Sequence, residues 1–268
     1  MKIFVCVKQV PAVAEVRIDP NTNTLVREGI PSIMNPYDKN GIELALTIKE
    51  EREAEVIAIS MGPPQASEVL REALAMGADK AFLLTDKAFA GADTLATSYT
   101  LSLAIKKLLK ESGDKKDYLV ILGAQAIDGD TGQVGPELAE ELKIPQITYV
   151  QKFELKQDKI VVERVFRHEE VVIIETKLPA LISVLKEINH PRHPTLSNIV
   201  DAYSKKEVII LNSNELKPNK RKIGLNGSMT EVWKIFIPER KEEQIIIKGS
   251  NEEIAQELCR SLKNDKVL

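Results

Sequence analysis

Short apolar runs, each followed by a polar or glycine-bearing loop and then by a helical pattern, constrain this chain more than any other feature. Lys2–Val7, Ala54–Ser60, Ala81–Leu84 and Tyr118–Leu122 carry no polar alternation and are too short for amphipathic helices. They read as strands buried on both faces. Helical periodicity fills the gaps. A first helix is expected from Asn35-Pro36 to Glu51, with Pro36 in a first turn that needs no N–H. A second covers Pro64–Met76 and stops at Gly77, and a third runs from Asp93 to about Lys110. This alternation predicts an α/β fold: an open, mostly parallel twisted sheet with helices on both faces.

Between Ile147 and Val184 the period changes to two. Tyr149–Leu155, Lys159–Phe166, Val171–Glu175 and Ala180–Val184 read as strands of an antiparallel extension. Beyond Glu187 regularity fades. His190-Pro191-Arg192-His193-Pro194 resists both helix and central strand, and Lys205–Lys248 mixes charges with isolated apolar residues such as Trp233, Ile235 and Phe236. Such a tract closes no core of its own, so it reads as an arm draped over another subunit, the alternative being a partly disordered tail. An amphipathic helix, Glu252–Leu262, ends the chain. The division expected is 1–187 for the α/β domain with its extension and 188–268 for loop and C-terminal arm.

Charge and composition narrow the function. Lys plus Arg number 37 against 40 Asp plus Glu, so no basic excess drives binding to nucleic acid. The opening MKIFVCVKQV meets Lys8 too early for a signal peptide, and no apolar run reaches membrane-spanning length. A soluble, cytoplasmic protein without membrane insertion is expected. Cys6 and Cys259 show no metal or redox spacing, and His190-x-x-His193 lacks both a helical register and nearby cysteines, so no metal site is expected. No nucleophile elbow or Ser-His-Asp set occurs, and nothing in the chain reads as a stand-alone catalyst.

The richest local signal is Asp128–Pro136 (DGDTGQVGP), which joins the run Tyr118–Gly123 to the helical pattern Glu137–Leu142. Unpaired backbone N–H groups and the positive end of the helix dipole make such a junction an anion site. The loop holds no Lys or Arg and matches neither the Walker string nor G-x-G-x-x-G, so a phosphate would be held there rather than transferred. Asp128 and Asp130 read as loop organisers, through Asx turns or as a helix cap with Gln133 three residues on. An ordinary strand-to-helix connection is the alternative. Further loops share the same expected sheet edge: Val7–Pro11, Met34–Asp38, Ser60–Pro63 and Gly91–Ser98. In the last, Asp93 or Thr94 can cap the helix, and Thr97 and Ser98 can offer hydroxyls. Open α/β sheets bind ligands at that edge.

Taken in order, VCVKQVP (Val5–Pro11), SIMNPYD (Ser32–Asp38), SMGPPQA (Ser60–Ala66), EALAMGADKA (Glu72–Ala81), GAQAIDGDTGQVGP (Gly123–Pro136), KLPALISV (Lys177–Val184) and HPRHPTLSNI (His190–Ile199) resemble the β subunit of electron-transfer flavoproteins. The resemblance implies a heterodimer with an α subunit, an adenine-nucleotide-binding Rossmann-like domain, an arm wrapped on that partner, and an electron shuttle serving flavin dehydrogenases of acyl-CoA or 2-hydroxy-acid type. DGDTGQVGP, NPYD and FAGADTLATSY (Phe89–Tyr99) are similar to the electron-bifurcating branch. That branch implies FAD in this subunit, NADH (NAD(H)) as donor, and ferredoxin or flavodoxin as low-potential acceptor. The alternative is the branch holding a structural AMP. A third possibility, an ATP-dependent enzyme of the adenine-nucleotide α-hydrolase kind, would need SGGxDS after the first strand, where Lys8-Gln9-Val10-Pro11 stands.

By the same resemblance, Val7, Gln9, Asn35, Asp38, Ser60, Gly62, Gly123, Gln125, Asp128, Thr131, Gln133 and Val134 would line the adenosine and phosphate portion. Thr94 and Thr97 would face the ribityl or isoalloxazine side, and Leu196 matches the loop leucine that inserts into partner dehydrogenases. The chain departs from the family pattern at Ser197, usually proline, at Asp201, commonly lysine, and at Ala12, often aspartate. Arg167, His168 and Glu169 also replace an acidic, glycine-bearing turn.

Overall fold

The computed structural model describes residues 1–12, 17–19, 24–26, 31–113, 117–166, 170–233, 246–265 and 267. The turn at Arg167, His168 and Glu169 lies outside them, as do Ile235 and Phe236. Two compact units result, Met1–Trp233 and Lys234–Leu268.

In the first unit the strands and helices run β1 (Lys2–Cys6), β2 (Gln9–Pro11), β3 (Arg17–Asp19), β4 (Thr24–Val26), β5 (Ser32–Met34), α1 (Pro36–Glu51), β6 (Glu55–Met61), α2 (Ser67–Met76) and β7 (Lys80–Leu84). They continue with α3 (Thr94–Ser112), β8 (Tyr118–Gly123), α4 (Val134–Leu142), β9 (Gln146–Lys156), β10 (Lys159–Val165), β11 (Val171–Lys177) and β12 (Ala180–Val184). Last come α5 (Leu196–Ser204), β13 (Val208–Leu211), α6 (Ser213–Leu216) and α7 (Gly224–Gly227). The second unit holds α8 (Asn251–Asn264), opened by a reciprocal capping box between Ser250 and Glu253.

One nine-stranded sheet, ordered β11-β10-β9-β12-β8-β1-β6-β7-β13, carries the first unit. All pairs from β9 across to β13 are parallel, and only β9–β10 and β10–β11 run antiparallel. Successive residues of β1 point to opposite faces, so Ile3 and Val5 join a core under α1 and α2 while Phe4 and Cys6 join one under α3 and α4. The α/β alternation read from the sequence is therefore present, with helices on both faces.

Three expectations need correction. Ala180–Val184 is not antiparallel: it lies between β8 and β9 and pairs parallel with both. Its five residues are all buried, as befits a strand covered on both sides. Val208–Leu211, inside the tract expected to lack regular structure, adds to the sheet as the strand beside β7. Leu196–Ser204 is a helix, because Thr195 accepts the Asn198 N–H and supplies an N-cap immediately after Pro194.

The helix that matters most for the sheet edge is α1. Its first turn lies directly on the end of β8, where a Cβ added at Gly123 would sit 2.4 Å from Asp38 Oδ1 and 2.5 Å from Tyr37 Cβ. Only glycine permits that approach. Gly123→Ala should therefore push α1 off the sheet and destabilise the protein by about 1–3 kcal/mol or more. Urea unfolding checks this, and a loss inside the ordinary surface-mutant range of about 0.5 kcal/mol would contradict it.

Candidate functional site

The connection leaving β1 leads through α1 to β6 on one side, whereas β8, reached later through α3, pairs with β1 on the other. Strand order thus reverses between β1 and β8, and the crevice beyond their C-terminal ends is where an open α/β sheet takes a ligand. The β1 exit loop and the Asp128–Pro136 loop both emerge there.

Side chains stitch these loops together. Lys8 Nζ pairs with Asp128 Oδ1 at 2.7 Å, so the aspartate is neutralised by a cation from another loop. Buried Asn35 donates from Nδ2 to the Gln125 carbonyl at 2.9 Å and accepts the Ile127 N–H at 3.3 Å. Gln125 Nε2 donates to Asp130 Oδ1 at 2.8 Å, and Gln9 Nε2 donates to the Gln65 carbonyl at 3.1 Å, reaching the loop beyond β6. Val7 continues the β1 ladder through its N–H to the Ile59 carbonyl at 2.8 Å, and the Gly62 N–H bonds the Leu84 carbonyl at 3.1 Å.

Asp38 is the electrostatic centre of this stitching. Its Oδ2 accepts the Lys8 N–H at 2.8 Å and its Oδ1 the Gly123 N–H at 3.0 Å, so one carboxylate ties the ends of β1 and β8 to the first turn of α1. Burial pushes this carboxyl up to about 7, against the opposing pull of those two backbone donors, Asn35 and Lys8.

The start of α4 is built differently. Gln133 is its N-cap residue, but no side chain caps the first turn. Of the two roles expected for Asp130, loop organiser or helix cap, the cap is not taken: its carboxylate accepts from Gln125 within the loop, and Asp130 itself has φ 50°. Gly132 follows at φ 62°, and Gln133 at φ −97°, ψ −28°. A left-handed residue followed by a right-handed one turns successive N–H groups toward one concavity, a shape suited to a phosphate. Thr131 is exposed in this curl, and Val134 is the first helical residue.

Beside it lies the start of α3, capped by Asp93 Oδ1 on the Ala96 N–H at 3.0 Å. Burial works to raise Asp93, but the N–H groups of Ala96, Thr230 and Met229 and the Thr230 hydroxyl outweigh it and hold the carboxyl below its ordinary range. The Thr94 hydroxyl donates to Glu137 Oε1 at 3.1 Å and lies 3.4 Å from Gln133 Oε1, joining the two helix starts. Thr97 stands one turn further in and is partly exposed. Ser98, expected to offer a hydroxyl, is fully buried and donates to the Leu95 carbonyl of its own helix at 2.9 Å.

Two buried oxygens, Ser60 Oγ and Glu137 Oε2, have no hydrogen-bond partner among the described residues. Burial raises the Glu137 carboxyl, with the Thr94 hydroxyl opposing and Asp93 adding to the rise. Buried hydroxyls and carboxyls require partners, and both atoms belong to elements that open onto the same sheet edge. Sequence reasoning passed over Lys8 and Glu137. The signal was present in the first case, a cation directly after the first strand, and in the second an acid in a first helical turn. Leu196 belongs to another place: it opens α5, which packs on α2, and is 83% exposed.

Proton binding at Asp38 yields a test. A folded-state value near 7 against an ordinary 3.8 means the folded protein keeps a proton that the unfolded chain gives up between those values. Its contribution to stability is full below about pH 4 and declines as pH rises through about 7. Asn at this position keeps one acceptor but sets an NH2 against a backbone N–H. Asp38→Asn should cost about 1–3 kcal/mol near neutral pH and abolish that decline, as read from urea unfolding across the window.

Comparison with known proteins places the chain. Residues 22–216 match the family model described as electron transfer flavoprotein domain. The chain is 50% identical, over 100% of both chains, to an electron transfer flavoprotein subunit beta of Thermoanaerobacterium thermosaccharolyticum. It is 47% identical, again over 100% of both, to the caffeyl-CoA reductase-Etf complex subunit CarD of Acetobacterium woodii. With the acryloyl-CoA reductase electron transfer subunit gamma of Anaerotignum propionicum it shares 39% identity over 100% of both chains. The chain belongs to the electron transfer flavoprotein family, as a β subunit whose role is electron transfer.

Proposed function

We propose that this subunit, paired with an α subunit, holds an FAD at the β1–β8 crevice and takes part in flavin-based electron bifurcation with NADH as donor. The observation that carries the nucleotide site in this reading is the uncapped start of α4, with its Gly132–Gln133 curl at the point where strand order reverses, while the choice of branch rests on the likeness of DGDTGQVGP, NPYD and FAGADTLATSY to bifurcating members. A diphosphate is stabilised there by main-chain N–H groups and the helix dipole, without a basic side chain. The donor set fits the rest of such a cofactor. Ser60 Oγ offers a buried hydroxyl on the adenosine side, and Thr94, Thr97 and Glu137 offer hydroxyls and a carboxyl where the ribityl chain would run.

Bound FAD would supply the redox chemistry: hydride acceptance from NADH and electron delivery to two acceptors. The chain's own residues bind and orient. Asn35 and Asp38 fix the loop amides, Lys8 neutralises Asp128 beside the phosphate curl, and Thr94 locks the two helix starts together. No acid or base from this subunit is required. Relatives named for caffeyl-CoA and acryloyl-CoA reductase complexes support an acyl-CoA type of dehydrogenase as one acceptor, and Leu196, exposed at the start of α5, would be its docking contact. Ferredoxin or flavodoxin is proposed as the low-potential acceptor. Of the arm expected at 188–268, the part beyond the first unit, which ends at Trp233, would wrap the α subunit.

The same α4 start would also serve AMP, which shares the adenosine and α-phosphate of FAD. Acid extraction of the purified heterodimer and chromatography of its nucleotides decides between them. Two FAD per heterodimer, with flavin bleaching on NADH addition, are expected. One FAD with one AMP overturns bifurcation, and no adenine nucleotide at all overturns the site.

A further inference from the structure

The loop that leads into α5 is held to α1 by a polar clamp that the electron-carrying site does not use. Glu43, on the second turn of α1, is 8% exposed. Its carboxylate accepts the Arg192 backbone N–H at 2.9 Å, Nε of the same arginine at 2.9 and 3.1 Å, and Nη2 at 2.8 Å. Arg192 Nη1 bonds Glu50, a further two turns along α1. A backbone amide and a guanidinium on one buried carboxylate fix both the path of the loop and the side chain that anchors it.

Asn40, also buried, adds a reciprocal contact one turn earlier. Its Nδ2 donates to the carbonyls of Asn189 and Lys186 at 2.9 and 3.1 Å, and Asn189 Nδ2 donates back to the Asn40 carbonyl at 3.0 Å. The far end of α5 is secured separately. Ala202 is fully buried, Arg71 Nη1 donates to its carbonyl at 2.8 Å, and the Tyr203 hydroxyl donates to Glu68 at 2.7 Å. Between these anchors Leu196 and Val200 stand 83% and 61% exposed, four residues apart and so on one side of the helix.

We propose that Glu43, assisted by Asn40, is a positioning residue for docking: by clamping Arg192 and Asn189 it holds the segment before α5 in one path, so that Leu196 meets a partner already placed. This rests on the reading that Leu196 contacts a dehydrogenase. The physical reason is preorganisation. A loop free to wander would have to be ordered on each encounter, at a cost in affinity rather than in the electron-transfer step.

The test measures the KM of a purified acyl-CoA dehydrogenase for the cofactor-loaded heterodimer, with Glu43→Gln, Arg192→Gln and Leu196→Ala beside the wild type. Glu43→Gln and Arg192→Gln are each expected to raise KM by about tenfold. They should leave kcat and cofactor content unchanged and should lose hydrogen-exchange protection over Arg192–Asn198. Should Glu43→Gln fail to fold, Arg192→Gln, at a partly exposed side chain, carries the test. A raised KM in Leu196→Ala with wild-type values in both clamp variants overturns the positioning role and leaves docking intact. An unchanged KM in Leu196→Ala overturns the docking reading and the proposal with it.

Discussion

The seating of α1 on the end of β8 is the contact on which the remaining geometry depends. Gly123 lets the first turn of the helix come close enough for Asp38 to accept the N–H of Lys8, in the β1 exit loop, and that of Gly123 at the end of β8. Asn35, at the helix start, then reaches Gln125 and Ile127 in the loop beyond β8. Withdraw the helix by a methyl group's width and these bonds lengthen together, because they share one rigid element. Each leaves a buried polar group unpaired when broken, at about 1–3 kcal/mol apiece.

Much of the sheet is legible in the sequence because burial on two faces erases polar alternation. Ile3-Phe4-Val5 and Leu119-Val120-Ile121 are 0% exposed, and no other element explains such runs beside helical periods. Ala180–Val184 carries the same signature, yet its neighbours in the chain alternate, and the eye extends their pattern into it. Strand direction is set by what a strand pairs with, and β8, which pairs with β12, lies some sixty residues earlier. Val208–Leu211 was obscured by Lys205, Lys206 and Glu207 directly before it. In the structure Lys206 caps the end of α2 through the Leu74 and Ala78 carbonyls rather than solvating an arm.

The elements that frame the candidate site were legible in the sequence, and the side-chain bonds between its loops were not. The strand, glycine-bearing loop and helix start from Tyr118 to Leu142 follow one another as local chemistry leads one to expect. Which polar residues serve the loops was not legible, because their partners are distant in sequence. Asp38 meets backbone groups 30 and 85 residues away, and Lys8 meets Asp128 across 120. No spacing rule reaches across such intervals. The departures at Ser197 and Asp201 resolve locally: Ser197 sits in the first turn of α5, and Asp201 pairs with Lys205 one turn on at 2.8 Å.

Helix α1 buries Asp38, Asn40 and Glu43 among Ile42, Leu44, Ala45, Leu46 and Ile48. A helix on a sheet needs an apolar stripe and gains nothing in stability from buried carboxylates, which well-packed hydrophobic residues replace at little or no loss. What the polar residues add is specificity of path. Asp38 and Asn35 accept or donate only where particular backbone groups of the β1 and β8 exits arrive, and Glu43 and Asn40 do the same for Arg192 and Asn189. An apolar surface would hold those loops in many registers; directional bonds to a rigid helix hold them in one. The loops at the β1 and β8 exits and the segment leading to Leu196 are thereby referenced to a single element, and their separation is set by the rise of α1 rather than by the loops themselves.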